Sequence, residues 1–393
     1  MEQYVLKNQK RLRCGITTGS CAAAAAEAAA TQLLLGVKKT QVMLHTPKGV
    51  TLDIPVCESE EPEKPGVTYM VVKDSGDDPD VTDGAGIYVS VVPFCVPENT
   101  ETCFRDARYP NLYLDGGTGV GRVTKEGLEQ QVGQAAINAV PRQMIFQAVG
   151  HVCALAEYKE PLLILVSIPE GVELAGKTFN PRLGIEGGLS VLGTSGILEP
   201  MSERAIIDTI ETEIRQKHNQ GVRNLLVTPG NYGRSYVTEY LGMDSEDGVK
   251  CSNYIGETID LAVSYGMKNM LLVGNIGKLV KLAAGIMNTH SRVADGRMEI
   301  LAVHTVLCGG TAEMAAQIMA CINTEEVIGL LRQWELVQRV MDSICERIQE
   351  YVDRRTGKAM TCGVMLFSER YGYLACTKNC DSVRAGFDRD KEG

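Results

Sequence analysis

Asn224-Leu225-Leu226-Val227-Thr228-Pro229-Gly230-Asn231-Tyr232-Gly233 and Met270-Leu271-Leu272-Val273-Gly274-Asn275-Ile276-Gly277-Lys278 decide the fold class. In each, a short apolar run stops at a polar loop bearing glycines, and a helix-patterned stretch follows. Runs of this length bounded by turn residues read as strands buried on both faces. Upstream, Leu189 to Leu192 leads into Gly193-Thr194-Ser195-Gly196, and Ser202 then caps a helix whose Ile206, Ile207, Ile210 and Ile214 share one face. Ile255, Ile259, Ala262 and Val263 mark another amphipathic helix, and Leu279 to Ala284 is helical after the last loop. A strand, a glycine loop and a helix, written three times, predict a parallel α/β sheet.

The glycine loops are then expected at the C-terminal ends of their strands, the edge where an open parallel sheet binds its ligand. Glycine there permits positive φ and close approach of the backbone to a ligand. Gly193, Thr194, Gly196, Gly230, Asn231, Gly233, Gly274, Asn275 and Gly277 are therefore the expected ligand-lining residues. Tight strand-to-helix turns are the plainer alternative.

Working outward, the N-terminal part has a different rhythm. Thr18 or Ser20 can cap a helix that an alanine-rich run carries to about Leu35, where Gly36 suits its end. Gln41 to Thr46 and Val50 to Val56, joined by Pro47-Lys48-Gly49, predict a hairpin. Thr68 to Lys73 and Ile87 to Phe94 are two further β-branched strands. Beyond Leu301 the pattern is helical over Ala312 to Ile322 and Glu325 to about Arg355. Met360 to Ser368 and Tyr371 to Thr377 then form a closing hairpin. The expected organisation is an α+β domain over residues 1–186, a Rossmann-like parallel α/β domain over 187–310, and C-terminal helices with the hairpin over 311–393.

Composition narrows the function classes. With 44% hydrophobic and 22% charged residues the chain is globular. A formal net charge of -10 argues against general nucleic-acid binding, which needs a basic face to displace counterions. The 13 cysteines are scattered without zinc-site spacing, which reads as reduced thiols and no protein metal site. With no secretory leader and no apolar run of spanning length, a cytoplasmic location and no membrane partner are expected. Self-association into a homo-oligomer stays open.

Three stretches carry chemistry. Asp74, Asp77, Asp78, Asp80 and Asp83 fall within ten residues between two strands. Like charges so close raise proton affinity unless something offsets them, which makes Asp74, Asp77 and Asp78 candidates for proton transfer; a solvated acidic turn is the alternative. Asp115-Gly116-Gly117-Thr118-Gly119-Val120-Gly121-Arg122 holds G-x-G-x-G, but no helix opens after it, so it reads as a loop that lets Arg122 and Lys125 reach an anion. His290 follows the last glycine loop and is the remaining catalytic candidate. Thr17, Thr18 and Ser20 offer hydroxyls to a substrate.

Several long blocks resemble the cobalt-precorrin-5B C(1)-methyltransferase family, CbiD. They include Gly15-Ile16-Thr17-Thr18-Gly19-Ser20-Cys21-Ala22-Ala23-Ala24, residues 73–84 and 115–125, Ala136-Ile137-Asn138 with Pro141-Arg142, and Lys177-Thr178-Phe179-Asn180-Pro181-Arg182-Leu183-Gly184-Ile185. Residues 229–233, Lys250-Cys251-Ser252-Asn253 and residues 273–290 belong with them. The resemblance implies methyl transfer from S-adenosyl-L-methionine to carbon 1 of a cobalt-bound tetrapyrrole, with cobalt part of the substrate. Such a ring carries many carboxylates, so Arg122, Lys125, Arg142, Arg182, Lys278 and Lys281 become candidate anchors. Two other classes compete: a phosphate- or nucleotide-binding enzyme such as a small-molecule kinase, using residues 274–278, and a non-catalytic tetrapyrrole carrier. Against the kinase, the P-loop spacing is missing and Leu279 stands where Ser or Thr is needed.

Overall fold

The structure is a computed structural model. It describes all residues except 1, 2, 8, 60–65, 94–100, 179, 182, 245–247 and 391–393. The chain divides into two compact units, Met1–Ser202 and Glu203–Gly393.

The first unit is built on helix α1 (Thr18–Leu35). Thr17 caps it, its hydroxyl accepting from the Ser20 amide, and Gly36 ends it at φ 69. Ala22–Ala26 and Ala28–Ala30 are wholly buried. Their small side chains let α1 lie close to its neighbours, while Glu27 escapes the apolar interior by pairing with Lys39 at 2.7 Å. The hairpin of β1 (Gln41–His45) and β2 (Thr51–Pro55) follows as the sequence predicts. Next come β3 (Cys57–Glu58), β4 (Val67–Val72), β5 (Gly86–Pro93), β6 (Phe104–Asp106), β7 (Tyr109–Gly116), helix α2 (Ala139–Leu155) and β8 (Leu162–Ser167). They make a six-stranded sheet ordered β3-β4-β5-β8-β7-β6, in which only β7 and β8 pair in parallel, joined through α2. Helices α1 and α2 and this sheet share one core, which holds Ile87, Leu112, Ile145 and Ile164.

The second unit opens with α3 (Glu203–Asn219), whose Ile210 and Ile214 are buried. It continues with β9 (Asn224–Thr228), α4 (Asn231–Leu241), β10 (Val249–Lys250), α5 (Ile255–Ser264), β11 (Asn269–Asn275) and the single turn α6 (Ile276–Leu279). Then follow α7 (Arg297–Leu307), α8 (Ala312–Met319), α9 (Thr324–Gln333), α10 (Val337–Thr356), β12 (Thr361–Ser368), β13 (Gly372–Cys376) and α11 (Cys380–Asp390). The sheet is ordered β10-β9-β11-β12-β13. Its first four strands are mutually parallel, and β13 is an antiparallel edge. Stacking of Tyr236 on Phe367, with centroids 4.5 Å apart, holds α4 against β12.

Three local expectations need correction. Leu189 to Leu192 is no strand of this sheet. It makes isolated bridges from Leu189 to Val120 and from Val191 to Ile137; these two side chains enter the first core, while Leu192 is exposed. The parallel partners of β9 and β11 are instead the two-residue β10 and the C-terminal β12. The helix expected over residues 325–355 is two helices, α9 and α10, broken where Glu335 takes φ 57.

Candidate functional site

The parallel strands β9, β10, β11 and β12 share a direction, so their C-terminal ends form one edge. Two of the expected glycine loops lie there. At the end of β9, Gly230 is the N-cap of α4 with an extended backbone (φ -177, ψ -175), and a Cβ placed on it would meet nothing within 4 Å. Having no side chain, Gly230 cannot accept from the first-turn amides, which leaves that end of α4 carrying partial positive charge. Beneath the turn, a Cβ on Gly233 would lie 3.1 Å from the Thr228 Cβ. Thr228 is 1% exposed, yet its hydroxyl has no hydrogen-bond partner among the described residues.

At the end of β11, Asn275 caps α6, its Oδ1 accepting from the Gly277 amide at 2.7 Å. The two loops touch: a Cβ on Gly274 would come within 3.1 Å of Pro229 Cδ. Lys278, one residue beyond Gly277, sends its ammonium to 3.5 Å from the Pro229 carbonyl oxygen. No carboxylate forms an ion pair with it among the described residues, and burial pushes its proton affinity down. The Cys251 amide donates to the Thr228 carbonyl at 3.0 Å, which ties the end of β10 to that of β9. Burial pushes the Cys251 thiol up to about 12, so it stays protonated and offers no thiolate. From β12, Ser368 donates to the Glu325 carboxylate at 2.5 Å, and the exposed Glu369 places Oε1 3.5 Å from Asn275 Nδ2.

The loop of residues 193–196 is not part of this edge. It belongs to the first unit, where the Ser20 hydroxyl donates to the Gly196 carbonyl at 2.7 Å and the Gly19 amide to Leu192 at 2.9 Å. Gly193 sits at φ 145, and a Cβ there would strike Thr17 Oγ1 at 2.4 Å. Thr17, Thr18 and Ser20 are buried within this packing, while Thr194 is exposed.

Each of the five clustered aspartates has a donor. Asp74 accepts from both terminal nitrogens of the Arg13 guanidinium at 2.5 and 2.6 Å; Asp77 accepts from the Arg13 amide at 2.6 Å. Asp78 accepts from the Met201 amide at 2.7 Å, and Asp83 from the Ser75 amide at 2.8 Å. Asp80 pairs with the buried Lys73 and accepts from Thr82. The expected rise in proton affinity is therefore reversed where it is resolved. The Arg13 hydrogen bonds hold Asp74 below the usual carboxylate range. For Asp80, burial opposes ionisation, but the Lys73 charge and the Lys73 and Thr82 hydrogen bonds outweigh it and leave the carboxyl low.

The expected anchors separate in the same way. Arg122 grips Asp115 at 2.6 and 3.0 Å and the Gly116 carbonyl at 2.8 Å. Arg142 pairs with Glu129 and lies over the Phe104 ring. Lys281 is 2% exposed and donates to the carbonyls of Thr289 and Ala294 at 3.1 and 2.8 Å. Lys125 is exposed, and Arg182 lies outside the described residues. His290 is exposed, its Nδ1 accepting from the Arg292 amide at 3.1 Å. Thr228, Glu325 and Glu369 were not singled out by sequence; only their places at strand and helix ends could have marked them. Among the described residues no cluster of His, Cys, Asp or Glu could hold a metal ion, and no helix is long and apolar enough to cross a membrane.

Comparison with known proteins places this geometry in a family. The CbiD family profile matches residues 5–200, and the profile of the CbiD C-terminal domain matches residues 288–378. The chain is 47% identical to a cobalt-precorrin-5B C(1)-methyltransferase of Ruminiclostridium cellulolyticum, covering 94% of this chain and 92% of that protein. The chain belongs to the CbiD family. A second such relative, from Alkaliphilus metalliredigens, is 39% identical over 95% of each chain. A solved CbiD structure, a cobalamin biosynthesis protein of Archaeoglobus fulgidus, is 26% identical, with 74% of this chain and 86% of that one covered and a TM-score of 0.39. Within this CbiD chain, both loops of the sheet edge fall between the two profile matches, whereas Glu369 lies inside the C-terminal one.

Proposed function

We propose that this chain transfers a methyl group from S-adenosyl-L-methionine to carbon 1 of cobalt-precorrin-5B, giving cobalt-precorrin-6A in the anaerobic route to cobalamin. The observation that carries the reading is the 47% identity, over nearly the whole length of both chains, to a protein named for that reaction. The second unit is read as a Rossmann-like donor-binding unit. Gly230, Gly233, Gly274 and Gly277 let the backbone approach the donor at the edge where parallel sheets bind ligands. The tetrapyrrole is a small-molecule partner, its cobalt is substrate, and the cytoplasm is the expected location.

The chemistry suits such a site. The sulfonium is already activated, so the ring carbon displaces a neutral thioether in line, and alignment of the reactants alone can contribute ~7–11 kcal/mol. No strong nucleophile from the protein is needed. Asp74, Asp77 and Asp78 are assigned to holding their loop through Arg13 and Met201 rather than to proton transfer, and His290 to its turn. The kinase reading is disfavoured because Leu279, in the place of the P-loop hydroxyl, is wholly buried in the core.

Calorimetry with S-adenosylmethionine and with ATP tests the reading against its rival. Binding of S-adenosylmethionine alone is expected; binding of ATP alone would overturn the donor assignment.

A further inference from the structure

Three features at the sheet edge leave polar capacity unmet. The first turn of α4 begins at Gly230, which makes no side-chain cap bond. Thr228, whose Cβ lies beneath that turn, is 1% exposed, and its buried hydroxyl has no partner among the described residues. The Lys278 ammonium reaches the carbonyl of Pro229, the residue between Thr228 and the N-cap, and has no anion to pair with among the described residues. Its charged neighbours Lys250 and Lys281 add to the positive field. A buried hydroxyl without a partner and a half-buried cation without a counter-ion are both costly, and an anion seated between them would offset both costs. Helix N-termini supply amide donors for such an anion.

The same edge carries a carboxylate of opposite use. Glu369, following β12, is exposed and stands beside Asn275, the cap of the turn that bears Lys278. It forms no ion pair among the described residues, and its side-chain hydrogen bond there is the 3.5 Å approach to Asn275 Nδ2. A positive corner at β9 and β11 and a negative group at β12 together match a zwitterion.

We propose that this edge binds the amino-acid head of the methyl donor, its carboxylate held by the first turn of α4, Thr228 and Lys278, and its α-ammonium by Glu369. The inference rests on the donor reading above and goes beyond it by naming which pole of the ligand each residue takes. The adenosine end then lies away from this corner, and the sulfonium is fixed from the head group. An isolated anion site would favour a carboxylate of the tetrapyrrole instead, but it would leave Glu369 facing a polyanion.

Calorimetry on the intact protein separates these cases, using S-adenosylhomocysteine and 5′-methylthioadenosine, which keeps the nucleoside thioether but lacks the amino-acid head. Lys278→Met and Glu369→Gln should each weaken S-adenosylhomocysteine by roughly tenfold or more, the scale of a lost charged hydrogen bond. Neither should change the affinity for 5′-methylthioadenosine. Thr228→Val, nearly isosteric, should show the same selectivity with a smaller factor. If the wild type binds S-adenosylhomocysteine and the Lys278 and Glu369 variants bind it equally well, the head lies elsewhere, although the donor reading survives. A Lys278→Met protein with unchanged S-adenosylhomocysteine affinity but a raised KM for the tetrapyrrole would give the anion site to the substrate and refute the proposal. A wild type that binds neither ligand would remove the donor reading itself.

Discussion

Lys73→Met is the sharpest test of whether the aspartate-rich loop is structural. The Lys73 side chain is 2% exposed, and its ammonium contacts the Asp80 carboxylate and the Thr82 hydroxyl. Methionine keeps the length of the stem and removes the charge, leaving Asp80 at 21% side-chain exposure without its cation. Stranding one partner of a buried ion pair costs ~3–5 kcal/mol. Asp80 retains the Thr82 amide at 2.8 Å and the Thr82 hydroxyl at 2.7 Å, which places the expected loss at the lower end, about 3 kcal/mol. At ~2–4 °C per kcal/mol for a unit of this size, the first unfolding transition should fall by roughly 6–12 °C. Thermal and urea unfolding of Lys73→Met, Asp80→Asn and the double variant form a cycle. The double variant should recover much of the loss, because no unpaired charge then remains. A Lys73→Met protein as stable as the wild type would refute the reasoning.

Other outcomes follow from the same contacts. Asp74 and Asp80 have folded-state proton affinities below their unfolded ones, so the stability they lend is full above the unfolded carboxylate value of ~3.9 and is lost as pH falls through the lower folded values. Unfolding midpoints measured down through that range should drop less steeply in Asp80→Asn than in the wild type. Lys281→Met should lower stability by ~1–3 kcal/mol by stranding the Thr289 and Ala294 carbonyls. Denaturant unfolding would show this, and a stability equal to wild type would contradict it. Gly230→Val should fold, since its Cβ enters open space, and should bind S-adenosylmethionine more weakly by calorimetry; a folded variant of unchanged affinity would move the donor away from α4.

Helix α1 was legible because its helix-forming run and the Gly36 that ends it are local, although the cap is Thr17 and not the expected Thr18 or Ser20. Strands β9 and β11 were legible for the same reason, each an apolar run halted by a glycine loop. Strand β10 was not, since Val249–Lys250 has no apolar run and exists as a strand only through its pairing with Val227 and Thr228. Met360 to Ser368 reads as a hairpin arm, and β12 is one, but local pattern does not reveal that the arm also lies parallel to β11. Leu189 to Leu192 misled because a short, mostly apolar run looks alike whether it bridges or joins a sheet. The aspartates misled for a related reason: the donors that quench them, Arg13 and Met201, are 61 and 123 residues away from Asp74 and Asp78. The isolation of Lys278, equally, is a property of three dimensions and leaves no mark on spacing.

Single-turnover reaction with cobalt-precorrin-5B and S-adenosylmethionine labelled with carbon-13 in its methyl group tests the proposed activity most directly. One labelled methyl on carbon 1 of the ring, seen by carbon NMR, with one equivalent of S-adenosylhomocysteine released, is the expected result. A purified, folded protein that binds both ligands yet leaves the label on the donor, or delivers it to another ring carbon, would contradict it.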